Sequence, residues 1–144
     1  MHKQFKGRKR YLFVDILGLM TVVVTAANVP DRDGAKPLVE GLRQQFSRLP
    51  LIWADGAYAG ELPAWVRALR RWRQVRLKRV KRPTGVKGFQ LLPWRRIVER
   101  TFGSLGRYHR LSKDYEYLTQ TSEAMICVAM IHLMVYRLAR LTCF

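Results

Sequence analysis

The stretch Leu51-Ile52-Trp53-Ala54-Asp55-Gly56-Ala57-Tyr58-Ala59-Gly60 limits the folds open to this chain more than any other. A run of strand-like residues stops at one carboxylate, and two glycines follow within five positions. A buried strand that ends at an acid and then turns places that acid at the rim of a sheet. In open α/β sheets, ligands and metals are met at strand ends. Read alone, Asp55 is a turn residue, because Asp-Gly pairs commonly start turns. The remainder of the chain shifts that balance. Against 27 Lys and Arg there are only 10 Asp and Glu, so an acid placed this way stands out.

The net charge of +17 exceeds what solubility needs. It points to a polyanionic partner, first of all nucleic acid. A ribosomal-type or membrane-surface protein would be equally basic. The length of 144 residues suits one domain, able to bury roughly two thirds of its unfolded surface. Cys127 and Cys143 suggest neither a disulfide framework nor a zinc site, which fits a reducing cytoplasm. Met1 to Arg10 is polar and basic with no apolar core behind it, so no signal peptide is expected.

In chain order, Met1 to Arg10 reads as a disordered start or as a basic arm on phosphate. Tyr11 to Val14 and Leu19 to Thr25 are strand-like runs around Asp15-Ile16-Leu17-Gly18, which predicts a β-hairpin with Asp15 in its turn. Asn28 to Asp33 is a loop in which Asp31 or Asp33 could cap the next element. Ala35, Leu38, Val39, Leu42 and Phe46 recur at helical spacing and predict a helix over about residues 34–48. Leu51 to Ala54 is then a third strand, and strand after helix implies a crossover and parallel pairing. Leu62, Trp65, Val66 and Leu69 mark another helix, with Pro63 in its first turn. Gln74 to Val80 reads as a strand with one wet, basic face, or as continuing helix. Lys81 to Gly88 is a loop.

Pro93 suits a helix start. Trp94, Ile97, Val98, Phe102 and Leu105 follow on one helical face, and Gly103 and Gly106 weaken or end that helix. Glu99 is the one acid between Arg67 and Arg110, a stretch dense in Lys and Arg. Composition alone favours an ion pair with Arg95 or Arg96, four and three positions earlier. Otherwise Glu99 serves chemistry on a phosphate backbone, where basic residues seat the substrate and the acid seats a metal. Tyr108 to Tyr117 mixes basic and aromatic side chains, suited to stacking on unpaired bases or to a loop packed on the core. Thr121 or Ser122 then caps a last helix running to about Arg140. Its apolar run, Ala124 to Val135, is shorter than the roughly 20 residues that span a bilayer, so a buried core helix is expected. His132 within it reads as a satisfied core or edge histidine.

Phosphodiester chemistry is commonly run by two Mg2+ ions about 3.5–4 Å apart. Mg2+ takes hard oxygen ligands, so the protein must supply carboxylates. No Ser/His/Asp set, glycine-rich phosphate loop or Cys/His cluster is evident. There is one acid at a strand end, Asp55, and one on a later helix, Glu99. The order hairpin, helix, strand with acid, helix, strand, helix with acid is that expected of a ribonuclease H-like nuclease core. The fold class expected is α/β, a mixed sheet flanked by helices.

Four blocks carry a family resemblance. The first is Lys6-Gly7-Arg8-Lys9-Arg10 with Val14-Asp15-Ile16-Leu17-Gly18-Leu19. The second is Val24-Thr25-Ala26-Ala27-Asn28-Val29 with Asp31-Arg32-Asp33-Gly34-Ala35. The third is Trp53 to Gly60, and the fourth is Val98-Glu99-Arg100-Thr101-Phe102 with Arg110-Leu111-Ser112-Lys113-Asp114-Tyr115-Glu116. Together and in this order they resemble the DDE transposases of bacterial insertion sequences, in the IS-five-like group, over nearly the whole chain. The resemblance implies that Asp55 is the second catalytic Asp and Glu99 the catalytic Glu, both ligands of Mg2+ or Mn2+. Related transposases set a Tyr, an Arg and a Lys around that Glu. Arg95 fits the Arg position, but Leu92 stands at the Tyr position and Gly106 at the Lys position, where only neighbouring Arg107 could substitute.

The family's first catalytic Asp lies on a first strand upstream of the Lys-Gly-Arg-Lys-Arg run, and neither that strand nor the DNA-end-binding N-terminal domain is found in these residues. Asp15 falls at a non-catalytic hairpin position. The expectation is one partial ribonuclease H-like catalytic domain over residues 1–144, with residues 1–10 as a basic arm. It would be the C-terminal part of a transposase, inactive alone, and either a truncated remnant or a downstream frame joined by frameshifting. Arg95, Arg96, Arg100, Arg107 and Arg110 would contact phosphate. The expected partners are DNA (transposon ends and target), an upstream-frame transposase polypeptide and a second copy of the chain, with no membrane. The expected location is cytoplasmic, on the nucleoid when DNA is bound. The alternative is a non-enzymatic basic nucleic-acid-binding protein that needs neither acid.

Overall fold

The computed structural model describes residues 7–58, 60–69, 75–80 and 93–142. The elements run β1 (Arg8–Val14), β2 (Leu19–Ala26), α1 (Asp31–Gln45), β3 (Leu51–Ala54), α2 (Leu62–Ala68), β4 (Arg76–Arg79), α3 (Pro93–Gly106) and α4 (Thr119–Thr142). Short 3-10 turns occupy Gly56–Tyr58 and His109–Leu111. The chain is thus mixed α/β. Its strands pair as two two-stranded sheets among the described residues, β1 with β2 and β3 with β4. Two compact units result, one of Met1–Asn28 with Ile97–Phe144 and one of Val29–Arg96.

In the first unit, β1 and β2 form the expected antiparallel hairpin, with Tyr11 opposite Val23 and a bulge between Phe13 and Val14. The turn is closed by its acid. Asp15 Oδ1 accepts the backbone N–H groups of Leu17 and Gly18, each at 2.8 Å. That is the geometry that makes Asp a turn residue. The core here joins Val22 and Val24 of β2 to Leu105 of α3, Leu111, and Ile126, Ala129 and Met130 of α4. Alternation along β2 and helical spacing along α4 explain why these residues meet. Each fully buried Leu, Ile or Met contributes about 1.5–3 kcal/mol.

α4 is longer at both ends than its apolar run. Thr121 and Ser122, expected as caps, lie inside the helix, because Thr119 and Gln120 continue the helical pattern in front of them. Among the described residues, α4 is the one helix long and apolar enough to cross a membrane by length and composition. It is not buried all round as expected of a core helix. One face is buried in this core, and Val128, Ile131, Val135 and Leu138 are exposed.

In the second unit, α1 buries Ala35, Leu38, Val39 and Leu42, the spacing read from the sequence. It begins at Asp31 with Pro30 at the N-cap and no side-chain cap hydrogen bond there. Asp31 and Asp33 instead occupy the first turn, where negative charge meets the positive end of the helix dipole. β3 runs parallel to β4, with Trp53 opposite Lys78. α2 carries Pro63 in its first turn and buries Leu62 and Val66. Gln74 and the expected loop Lys81 to Gly88 lie outside the described residues, as do Leu92 and residues 1–6 of the expected basic arm.

Candidate active site and basic surface

Asp55 sits in the second unit, immediately after β3 and exposed. Parallel β3 and β4 end on the same side, where the Val80 N–H donates to the Ala54 carbonyl at 2.9 Å. Asp55 therefore stands at the carboxyl end of a parallel pair, the rim at which α/β sheets meet ligands. The loop is turned locally. Asp55 Oδ1 accepts the Gly56 N–H at 2.6 Å, and the Asp55 carbonyl accepts the Tyr58 N–H at 3.1 Å.

Gly60 closes the same loop with φ +104, a backbone region that side chains rarely adopt. A Cβ there would also come within 3.2 Å of Arg32 Nη1. Arg32 belongs to the Asp-Arg-Asp-Gly block at the start of α1. Two of the sequence blocks thus converge, and Arg32 is a neighbour of the Asp55 loop that sequence reasoning did not single out. Its signal in the sequence was only its place within that block. On the exposed face of β3, Trp53 stacks on Trp94 with ring centroids 5.6 Å apart and planes at 11°. The Lys78 ammonium lies 5.8 Å from the Trp53 ring centroid, within cation–π range.

Glu99 lies in the first unit, on the exposed side of α3. The opposite side of that helix buries Thr101 and Leu105. Thr101 Oγ1 donates back to the Ile97 carbonyl at 3.0 Å, so its hydroxyl is satisfied in the core. Arg95, Arg96 and Arg100 are exposed along α3, and Arg107 follows in the turn after it. Arg100 also donates to the Ile16 carbonyl of the hairpin tip at 3.2 Å. Gly106, at the position expected to carry Lys, is the last residue of α3.

The segment after α3 is a loop packed on the core. Leu111 is buried, and Tyr108 OH and His132 Nδ1 are 2.8 Å apart, so His132 is an edge histidine with a partner. Arg110 donates to Glu116 Oε1 at 2.8 Å. That hydrogen bond, then the Glu116 charge, raises the Arg110 pKa above its usual value. Asp114 and Glu116 are occupied with structure. Asp114 meets Arg8 at 3.3 Å and accepts from Ser122 Oγ at 3.1 Å. Arg8 also donates to the Glu116 carbonyl at 2.8 Å and to the Tyr117 carbonyl at 2.5 Å. Arg10 donates to the carbonyls of Leu111 and Lys113 at 2.7 and 3.1 Å. Arg8 and Arg10, read from sequence as part of an arm, therefore lie in β1 and fasten it to residues 111–117.

As to a metal, Asp55 and Glu99 offer hard carboxylate oxygens of the kind Mg2+ takes, and both are exposed. Each belongs to its own unit. No group of three or more His, Cys, Asp or Glu suited to a metal ion occurs among the described residues.

The family model for the transposase DDE domain matches residues 2–134. No curated protein and no solved structure matches the chain. The match takes in the hairpin, Asp55, Glu99, the arginines of α3 and most of α4, and by it the chain belongs to the transposase DDE domain family, a family of proteins that act on DNA.

Proposed function

We propose that this chain is the C-terminal catalytic part of an insertion-sequence transposase of the IS-five-like group, with a ribonuclease H-like fold over residues 1–144 as one catalytic domain. One observation supports the reading above the rest: in a chain matched by the DDE family over residues 2–134, Asp55 is exposed at the carboxyl end of a parallel strand. The parent reaction is hydrolysis at transposon ends followed by attack of the freed 3′ hydroxyl on target DNA. Asp55 and Glu99 hold Mg2+ or Mn2+. Such ions activate the attacking oxygen and steady the leaving one. Arg95, Arg96, Arg100, Arg107 and Arg110 bind backbone phosphates and fix the register of the DNA.

Asp55 and Glu99 are two of the three acids that the family resemblance calls for. The protein works in the cytoplasm, on the nucleoid. Metal separates this reading from a non-enzymatic nucleic-acid-binding protein, since charge serves both. Mg2+ or Mn2+ raises the melting temperature of the chain by mass action. Glu99→Gln abolishes the rise while leaving the metal-free melting temperature near that of the parent. A melting temperature indifferent to both metals overturns the site and leaves the binding protein standing.

A further inference from the structure

The β3–β4 pair has one buried and one exposed face. Ile52 lies on the inner face and is 4 % exposed. Strand alternation turns Trp53 to the other face. The parallel register sets Lys78 beside Trp53, and Arg76 falls two residues earlier on the same side. Both cations are exposed. Trp53 stacks on Trp94, the second residue of α3, yet the two remain 40 and 48 % exposed. Trp is highly buried on average. Two indoles that stack on each other and still leave this much ring in water need a reason beyond packing.

We propose that this face holds an unpaired nucleotide of DNA, its base stacked on the open side of Trp94 and its backbone phosphates met by Lys78 and Arg76. The two indole planes differ by 11° with centroids 5.6 Å apart, so a third flat ring extends the same stack. Every base has a π-face, and stacking on an aromatic side chain is tolerant of sequence. A base inside a duplex has both faces covered by its neighbours, so the platform selects strand that is unpaired. Charge supports the same occupant. β3, β4 and the first turn of α3 carry Lys and Arg and no acid. The Lys78 ammonium lies 5.8 Å from the Trp53 centroid, on the aromatic side of the sheet. A phosphate backbone finds cations there, whereas a basic peptide is repelled.

Trp53 precedes Asp55 by two residues, about 7 Å along an extended strand. The held base therefore lies close to the strand end that carries the acid. That the nucleic acid is DNA rests on the transposase reading and the family match behind it. The stack itself makes no use of Asp55, Glu99 or a metal. Binding measured in EDTA thus reports on the platform alone, and its failure leaves the metal-dependent melting test of the catalytic reading untouched.

The test is a titration of the full chain in EDTA with short oligo(dT), with an abasic oligomer of the same length and with a DNA duplex, followed by tryptophan fluorescence. Oligo(dT) is expected to quench the fluorescence, and the abasic oligomer to bind about tenfold more weakly without that quenching. Trp94→Leu keeps the far-ultraviolet circular dichroism and brings oligo(dT) down to the affinity of the abasic oligomer, while its affinities for the abasic oligomer and the duplex stay those of the parent. Trp94→Tyr, which keeps a ring, retains most of the oligo(dT) affinity. Arg76→Ala and Lys78→Ala each lower the slope of log K against log salt for oligo(dT) by about 0.7, one single-strand phosphate contact. Equal binding of oligo(dT) and the abasic oligomer by the parent chain overturns the proposal, and that comparison needs no variant. A Trp94→Leu chain that loses affinity for all three ligands alike also overturns it, because the ring would then only hold the fold. Tighter binding of oligo(U) than of oligo(dT) does so too, because the ligand would then be RNA.

Discussion

Arg8 shows how a residue's composition-level meaning changes once its partners are known. In the sequence it is one cation among many. In the fold it bonds Asp114 and two backbone carbonyls of the loop that follows α3. Both side chains of the ion pair are partly buried, so it is worth more than a surface pair but less than a fully desolvated one. Arg8→Ala should lower stability by about 1–2 kcal/mol, read as a shift in the urea midpoint at unchanged slope. Cys127 is a second case. Burial first, and the Glu123 charge second, raise its thiol pKa. The folded state therefore keeps the proton that the unfolded state releases, and the neutral thiol's contribution is fully present below the unfolded value. Stability should fall as pH rises above the usual thiol value of 9.0. Cys127→Ala should flatten that alkaline fall in a series of denaturation curves taken at rising pH.

At the scale of elements, local pattern placed the hairpin, α1, β3, α2 and α3 close to where they form. The reason is that strand and helix periodicities are read over a few residues. What joins one element to another was less visible. Gly18 reads as a turn residue, and its turn is indeed held by Asp15. The further demand on it comes from α4, because a Cβ would lie 2.9 Å from Met134 Cγ and closer still to its sulfur. Gly18→Ala should cost about 1 kcal/mol, the low end for overpacking, since a methionine side chain can move aside. Thermal denaturation of the two proteins measures it. Gly60 is the parallel case in the second unit, where positive φ strains any side chain and a Cβ would crowd Arg32 Nη1 at 3.2 Å. Caps were the weakest expectation. Pro30 rather than Asp31 or Asp33 stands before α1, and α4 starts ahead of Thr121 and Ser122.

For the whole molecule, the net charge of +17 should make the DNA binding proposed for this chain steeply salt-dependent. Arginines differ in what they can add to it. Arg107 lies exposed in the turn after α3, whereas Arg110 is held by Glu116. Arg107→Ala should reduce the slope of log K against log salt by about 0.9, one phosphate contact. Arg110→Ala should reduce it less, because Glu116 already offsets that charge. Fluorescence titrations of a DNA duplex at several salt concentrations decide between them. By itself the sequence determined the order and type of the elements, the basic character, the family blocks and the two candidate acids, Asp55 and Glu99. These follow from short-range periodicity, turn chemistry and composition. Only the tertiary structure decided that Arg8 and Arg10 fasten β1 to a loop 101 to 109 positions away. It alone assigned Asp114 and Glu116 to that loop, set Arg32 against Gly60, and left α4 with one face in the core and one exposed. Such pairings depend on which distant residues the chain brings together, and no local pattern encodes them.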